Sequence, residues 1–241
     1  MIILPAIDLK DGKCVRLRQG RADEVTVYGD DPAEQAKDWR EQGGQELHVV
    51  DLDGAFAGTP KHAEVIKRII AEFPGPVEVG GGLRTPEALA AVLEAGATRA
   101  IIGSAALENP EFLSQTVELY GERIAVGIDA RDGYVQTRGW VETTQVPAVE
   151  LAKAVVGVGV RTIIYTDTAT DGMLGGPNLT QMAAICDAVP ECSITASGGV
   201  SSPYDVLNLK SLERPNLRAV IVGKALYDGR TTLKEMNVAA L

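Results

Sequence analysis

Short apolar runs rich in Ile, Val and Ala alternate with longer amphipathic stretches from one end of the chain to the other. The short runs predict strands at 2–7, 46–50, 77–79, 99–102, 123–128, 162–165, 193–196 and 218–222. Brief apolar runs bounded by turn-forming residues suit strands buried on both faces. The longer stretches predict helices at 32–42, 61–73, 86–95, 110–120, 147–157, 179–189, 203–212 and 231–236. Three of these helices open with proline behind a polar residue, at Thr85-Pro86, Asn109-Pro110 and Ser202-Pro203. That order marks a helix start, because proline's missing N–H costs nothing in the first turn. A further hairpin strand is expected at 134–137, and glycine-containing loops at 20–28 and 139–145 are expected to order over a ligand.

Eight strand-then-helix units of roughly 30 residues predict an α/β fold, a closed (β/α)8 TIM barrel. A doubly wound open sheet is the alternative. An internal repeat favours closure. Ile3 to Gly12 resembles Ala125 to Gly133, Val79-Gly80-Gly81-Gly82-Leu83 resembles Ala196-Ser197-Gly198-Gly199-Val200, and the stretch from Ala100 resembles that from Ala219. The offsets are 121 for Asp8 to Asp129, 117 for Gly81 to Gly198 and 120 for Gly103 to Gly223. Two homologous half-barrels, about 1–121 and 122–241, are expected within one domain spanning 1–241.

Composition narrows the function classes. The chain has 241 residues, 45% hydrophobic and 5% aromatic, enough for a large core without disulfide or metal staples. A net charge of −10 argues against nucleic acid or an anionic membrane as partner. Cys14, Cys186 and Cys192 have no metal-type spacing and read as reduced thiols, and His48 and His62 are the only histidines. A histidine-rich zinc site and a histidine-based triad are therefore not expected. Met1 to Ile7 enters a strand directly with no cleavage signal, so a cytoplasmic protein is expected; a monomer suits the barrel fold.

The chemistry gathers where such a barrel carries its sites, at the carboxyl ends of the strands. Gly80-Gly81-Gly82 and Ser197-Gly198-Gly199 follow the third and seventh predicted strands, Gly103-Ser104 and Gly223-Lys224 the fourth and eighth. Glycine lets backbone N–H groups approach an anion closely, so each half offers a phosphate cradle. As lone motifs they are equally the glycines of tight turns; as matched pairs they favour phosphate. Asp8 and Asp129 end the first and fifth strands at equivalent places, and two facing carboxylates suit acid and base work if one has a raised pKa. Taken singly, each is as well explained as a loop cap.

Thr166, Asp167 and Asp171 follow the sixth strand, Asp51 and Asp53 the second, and Asp51 aligns with Thr166 at an offset of 115. Asp51 is expected to orient a ligand hydroxyl, Thr166 to donate to a substrate oxygen, and Asp171 to compete for the acid role. Arg16, Arg18, Arg84, Arg138 and Lys224 would attract a dianion, and Trp140 could stack on a heterocycle or pack its loop. His48 reads as a packing residue within its strand.

The motifs Leu4-Pro5-Ala6-Ile7-Asp8-Leu9, Val15-Arg16-Leu17-Arg18-Gln19-Gly20, Val50-Asp51-Leu52-Asp53-Gly54-Ala55, Gly80-Gly81-Gly82-Leu83-Arg84, Gly103-Ser104-Ala105-Ala106 and Ser197-Gly198-Gly199-Val200 together resemble a known family. It is the phosphoribosylformimino-5-aminoimidazole carboxamide ribotide (ProFAR) isomerases of histidine biosynthesis, and the likeness runs over essentially the whole chain. It implies an Amadori rearrangement of an aminoaldose to an aminoketose, on a bisphosphorylated ribotide, with no metal and no cofactor. By the same resemblance Asp8 is the general base, Asp129 the general acid and Thr166 an assisting group, with Asp171 a second candidate acid. The sister cyclase is less similar, because it reads Pro-Cys-Leu-Asp at the first strand. A bifunctional isomerase that also acts on phosphoribosyl anthranilate shares Arg138-Gly139-Trp140 and the stretch from Asp171 to Leu179. A non-catalytic phosphosugar-binding barrel is the remaining alternative; retention of both Asp8 and Asp129 argues against it.

Overall fold

The computed structural model describes residues 1–16 and 24–241 in full and the backbone alone of 17–18 and 21–23. Its strands are β1 (Ile2–Lys10), β2 (Lys13–Arg18), β3 (Arg21–Gly29), β4 (Leu47–Asp51), β5 (Val77–Gly80), β6 (Arg99–Ile102), β7 (Ile124–Arg131), β8 (Tyr134–Thr137), β9 (Glu142–Pro147), β10 (Thr162–Asp167), β11 (Ser193–Ser197) and β12 (Leu217–Val222). Eight of them run parallel in the order β10-β11-β12-β1-β4-β5-β6-β7, and β10 pairs with β7 to close the ring. The sheet is therefore a closed eight-stranded barrel, and the open-sheet alternative is excluded.

Helices follow the barrel strands and cover their outer faces. The proline-led starts hold: Thr85 and Asn109 each accept a backbone N–H at the head of the helices Pro86–Glu94 and Pro110–Tyr120, and Ser202 forms a capping box with Asp205 ahead of Pro203–Lys210. Most of the buried apolar side chains lie between strands and helices, among them Ile7, Leu9, Val49, Ile69, Ile102, Val126 and Val220. A separate, much smaller cluster of Leu4, Ala6, Ile101, Ala125, Ile164, Ala219 and Ile221 fills the inside of the barrel. Towards the carboxyl ends of the strands the inner face includes Ala6, Gly80, Gly103 and Gly127, and a cavity opens there. None of the helices among the described residues is long and apolar enough to cross a membrane. Cys14, Cys186 and Cys192 are free and buried.

Two segments expected to be loops are strands. Residues 21–29 form β3, which pairs antiparallel with β2, itself paired with β1. Residues 142–147 form β9, which pairs with β8. Each half thus extends its first strand into an antiparallel hairpin beside the barrel mouth. The turns explain it: Asp11-Gly12 have φ of 50° and 75°, and Asp132-Gly133 have 53° and 82°. Two consecutive residues of positive φ make the tight turn whose twist matches paired strands, and Asp-Gly is its preferred sequence.

Candidate functional site

A cavity of ≈ 250 Å³ opens at the carboxyl ends of the barrel strands. Asp8, Arg16, Asp129, Trp140, Thr166 and Asp171 all line it. So do Gly81, Gly82, Gly103, Ser104, Ser197, Gly198, Gly199, Gly223 and Lys224. The fold brings the two repeated sets of residues into one space. The Arg18 side chain, with Gln19 and Gly20, lies outside the described residues.

The glycines divide into two kinds. Gly81, Gly82, Gly198 and Gly199 have φ of 110°, 73°, 98° and 82°. A Cβ at Gly81 would lie 2.1 Å from the Asp51 carbonyl oxygen, and one at Gly198 would lie 2.6 Å from that of Asp167. These four are held by backbone geometry and close packing. Gly103 is different: a Cβ there meets nothing within 4 Å among the described residues, so none of their atoms requires its glycine, and Gly103 lines the cavity. Gly103→Ala is expected to change stability by less than about 0.5 kcal/mol yet raise KM for a phosphorylated ligand about tenfold. Gly81→Ala should cost more than about 3 kcal/mol. Thermal unfolding beside steady-state kinetics separates the two.

The carboxylates sit in three distinct environments. Asp8 forms an ion pair with Arg16, whose Nη1 donates to Asp8 Oδ2 at 2.6 Å, and both side chains are mostly covered. The arginine comes from β2, so the hairpin turn at Asp11-Gly12 delivers it. Its guanidinium lies against Gly223, where a Cβ would be 1.3 Å from Nη2, and over the Tyr227 ring at 5.6 Å. Arg16 Nε is buried with no hydrogen-bond partner among the described residues.

Asp129 lies in register with Thr166 on the neighbouring strand. Burial pushes its carboxyl up, while the indole of Trp140 and the hydroxyl of Thr166 face it as donors and partly offset that effect. Asp171 follows β10 in the turn Thr170-Asp171-Gly172. Burial pushes its carboxyl up to about 6; Arg16 opposes the shift, and the charges of Asp8 and Asp129 add to it. A carboxyl with that setting can hold a proton near neutrality, the property required of an acid beside an ionised base.

Two expected site residues are elsewhere. Asp51 does not line the cavity. Its side chain is 0% exposed and accepts the backbone N–H groups of Gly54, Lys61 and His62. Both of its oxygens are occupied in shaping the loop after β4, so it has nothing to offer a ligand hydroxyl. Its counterpart in the other half is Asp167, not Thr166: Asp167 accepts from Ala169, Thr170 and Asn178 in the same manner, and each carbonyl of the pair sits under a matching glycine. Arg138 also misses the cavity. Its guanidinium turns outward to Glu108 and Glu142, and only its backbone N–H reaches inward, donating to Ser104 Oγ at 2.9 Å.

Lys224 lines the cavity but is ion-paired with Asp228, which also accepts from Tyr28 Oη at 2.6 Å. Tyr28, given no function from sequence, thereby ties β3 to the Gly223-Lys224 turn. His48, read as packing, lines the cavity floor. Its inward direction was available from alternation, because Val49 faces the outer core.

Comparison with known proteins finds relatives over nearly the whole chain. The model of a family described as histidine biosynthesis protein matches residues 2–232. A protein of Syntrophotalea carbinolica is 50% identical over 235 residues, covering 98% of this chain and 96% of the relative. One from Desulforudis audaxviator is 50% identical over 235 residues, covering 98% and 89%. One from Gloeobacter violaceus is 49% identical over 240 residues, covering 100% and 94%. All three are named 1-(5-phosphoribosyl)-5-((5-phosphoribosylamino)methylideneamino)imidazole-4-carboxamide isomerase.

Proposed function

The chain belongs to the histidine biosynthesis protein family, and from that premise we propose that it isomerises the bisphosphorylated ribotide named for its relatives. The reaction turns an N-linked aminoaldose into an aminoketose within one molecule. The observation that carries this reading is the meeting of Asp8 and Asp171, one ion-paired and one with a raised pKa, in a cavity that matched glycine turns from both halves also line.

A proton delivered to the ribose ring oxygen breaks its bond to C1 and leaves a C1–nitrogen iminium. A base then takes the proton from C2, giving an enolamine. Tautomerisation places a proton on C1 and leaves a ketone at C2. The sum is two protons lost, from C2 and its hydroxyl, and two gained, by C1 and the former ring oxygen, with no external oxidant or reductant.

In our assignment Asp8 is the base and Asp171 the acid. Among the described residues Asp171 has no hydrogen-bond donor to hold its charge, whereas Asp129 faces two. Asp129, Thr166 and Trp140 then form a polar shelf that orients the open-chain sugar. The phosphates bind at Gly103-Ser104 in the first half and at Gly223-Lys224 in the second, on the floors that the positive-φ glycines shape. Arg16 stands between Asp8 and the second of these.

The experiment is a steady-state assay of the purified protein with the histidine-pathway ribotide and, separately, with phosphoribosyl anthranilate. Turnover of the first is expected. Absence of turnover with tight product binding would convert the reading to a binding barrel, and turnover of both would extend it to the bifunctional subgroup.

A further inference from the structure

The floor of the cavity is the next layer of inward-facing residues: Ala6, His48, Ile101, Gly127, Ile164 and Ile221. Five are apolar and His48 is the exception. Its Nδ1 lies 2.7 Å from Glu78 Oε1. Glu78 is 1% exposed and accepts from Arg99 Nε at 3.3 Å, and Arg99 Nη2 donates to Glu46 Oε2 at 2.6 Å. The strand register produces this ladder, because His48 pairs with Glu78 across β4 and β5, and Glu78 pairs with Arg99 across β5 and β6.

Barrels of this type usually fill these positions with branched apolar side chains. Buried charges contribute little net stability, because desolvation cancels most of the attraction. A charged ladder inside the barrel therefore calls for a reason other than stability. Burial would push the Glu78 carboxyl up, but the hydrogen bond and charge of His48, together with Arg99, outweigh it and hold Glu78 below the usual range. Glu78 is an ionised acceptor, and Nδ1 is the nitrogen that donates to it. The other ring nitrogen, Nε2, has no hydrogen-bond partner among the described residues, while the ring borders the cavity. Its neighbours are small: Ala6 lies beside His48 in the register, and Gly80 and Gly127, which also line the cavity, present no side chain.

We infer that His48 is a substrate-contacting residue, meeting a hydroxyl of the open-chain sugar from below through Nε2, and that Glu78 is the positioning residue that fixes the ring's orientation. This rests on the isomerase reading above and assigns it a further residue. A carboxylate on Nδ1 sets which nitrogen is free and where it points, a role such partners perform for imidazoles generally.

The chain has two histidines, so the imidazole nitrogens of 15N-labelled protein are assigned by one His62→Gln variant. Ribulose 5-phosphate, an open-chain ketose with one phosphate, and inorganic phosphate are the probes. Ribulose 5-phosphate should move the His48 Nε2 resonance and the Gly103 or Gly223 amides; inorganic phosphate should move the amides alone. Amide shifts with an unmoved His48 ring on adding ribulose 5-phosphate would overturn the inference and leave the phosphate reading standing. No shift anywhere would overturn both.

Kinetics give the second arm. Glu78→Gln keeps the shape of the ladder and should lower kcat at least tenfold with a near-native unfolding temperature, and His48→Asn should lower it 10- to 100-fold. Unchanged kcat in both, in folded protein, would also overturn the inference.

Discussion

Asp8→Asn is expected to lower kcat by roughly a thousandfold, in the upper part of the range for losing a general base, with affinity for the product changed by only a few-fold. The amide keeps the shape of the carboxylate and can still accept from Arg16, which donates to Asp8 at 2.6 Å. It cannot take the proton from C2. A loss in kcat that KM does not share marks an interaction made only in the transition state. The charge removed also acts on its surroundings, because Asp8 helps to raise the Asp171 carboxyl. In the variant Arg16 faces Asp171 without that counterweight, so the acid should titrate lower than in the native protein. Steady-state kinetics with product binding by calorimetry tests this, and turnover within tenfold of native would refute the base assignment.

Asp171→Asn should lower kcat by about a hundredfold or more at pH 6, with a signature in pH. The native carboxyl is pushed up to about 6, so it is mostly protonated at pH 5 and mostly ionised at pH 8. If it supplies the first proton, kcat/KM falls as pH rises through about 6, and the variant loses that limb. The same shift bears on stability. An aspartate titrating near 4 in the unfolded chain and about 6 in the folded one penalises folding only in its ionised form. The contribution of Asp171 to stability should therefore fall as pH rises from 4 through 6. Asp171→Asn removes the penalty, so it should raise the unfolding temperature at pH 8 and leave it nearly unchanged at pH 4. Activity lost with stability gained would set Asp171 apart from a structural aspartate. If Asp129 carries the proton instead, Asp129→Asn will remove the alkaline limb and Asp171→Asn will keep it.

The barrel was legible because its signals are local and repeated. Apolar runs such as 99–102 coincide with β6, and the proline-led starts at Pro86, Pro110 and Pro203 coincide with helix ends. Near-constant offsets told which residues are partners across the barrel, and so placed Asp8, Asp129, Gly103 and Gly223 around one mouth. The same tool failed at Asp51, where alignment by residue number along the strand set it opposite Thr166. The correct partner, Asp167, appears only when both oxygens of each carboxylate are counted and found spent on loop N–H groups. Arg138 was misplaced for a related reason: proximity in sequence to Trp140 does not fix which way a long side chain turns, and two glutamates on the rim decided it. The first hairpin was signalled and not read. Asp11-Gly12 carries the same turn chemistry as Asp132-Gly133, and apolar and polar residues alternate after it at Val15-Arg16-Leu17-Arg18 and Glu24-Val25-Thr26-Val27. His48 was hidden by a different circumstance, because its charge partner Glu78 lies on the next strand and nothing local announces the pair.

The two hairpins also decide where another chain could attach. Within the ring every strand has a partner on each side, so the barrel presents no free backbone donors or acceptors to a neighbour. Among the described residues, β3 and β9 are the strands paired on one side only. β9 has mostly polar side chains and ends in proline, which discourages strand addition. β3 has Val25 and Val27 exposed along its length. When this protein misassembles on heating or at high concentration, β3 is the segment that should template it, and the arm that carries Arg16 to the catalytic aspartate is then the part of the fold with the greatest aggregation liability.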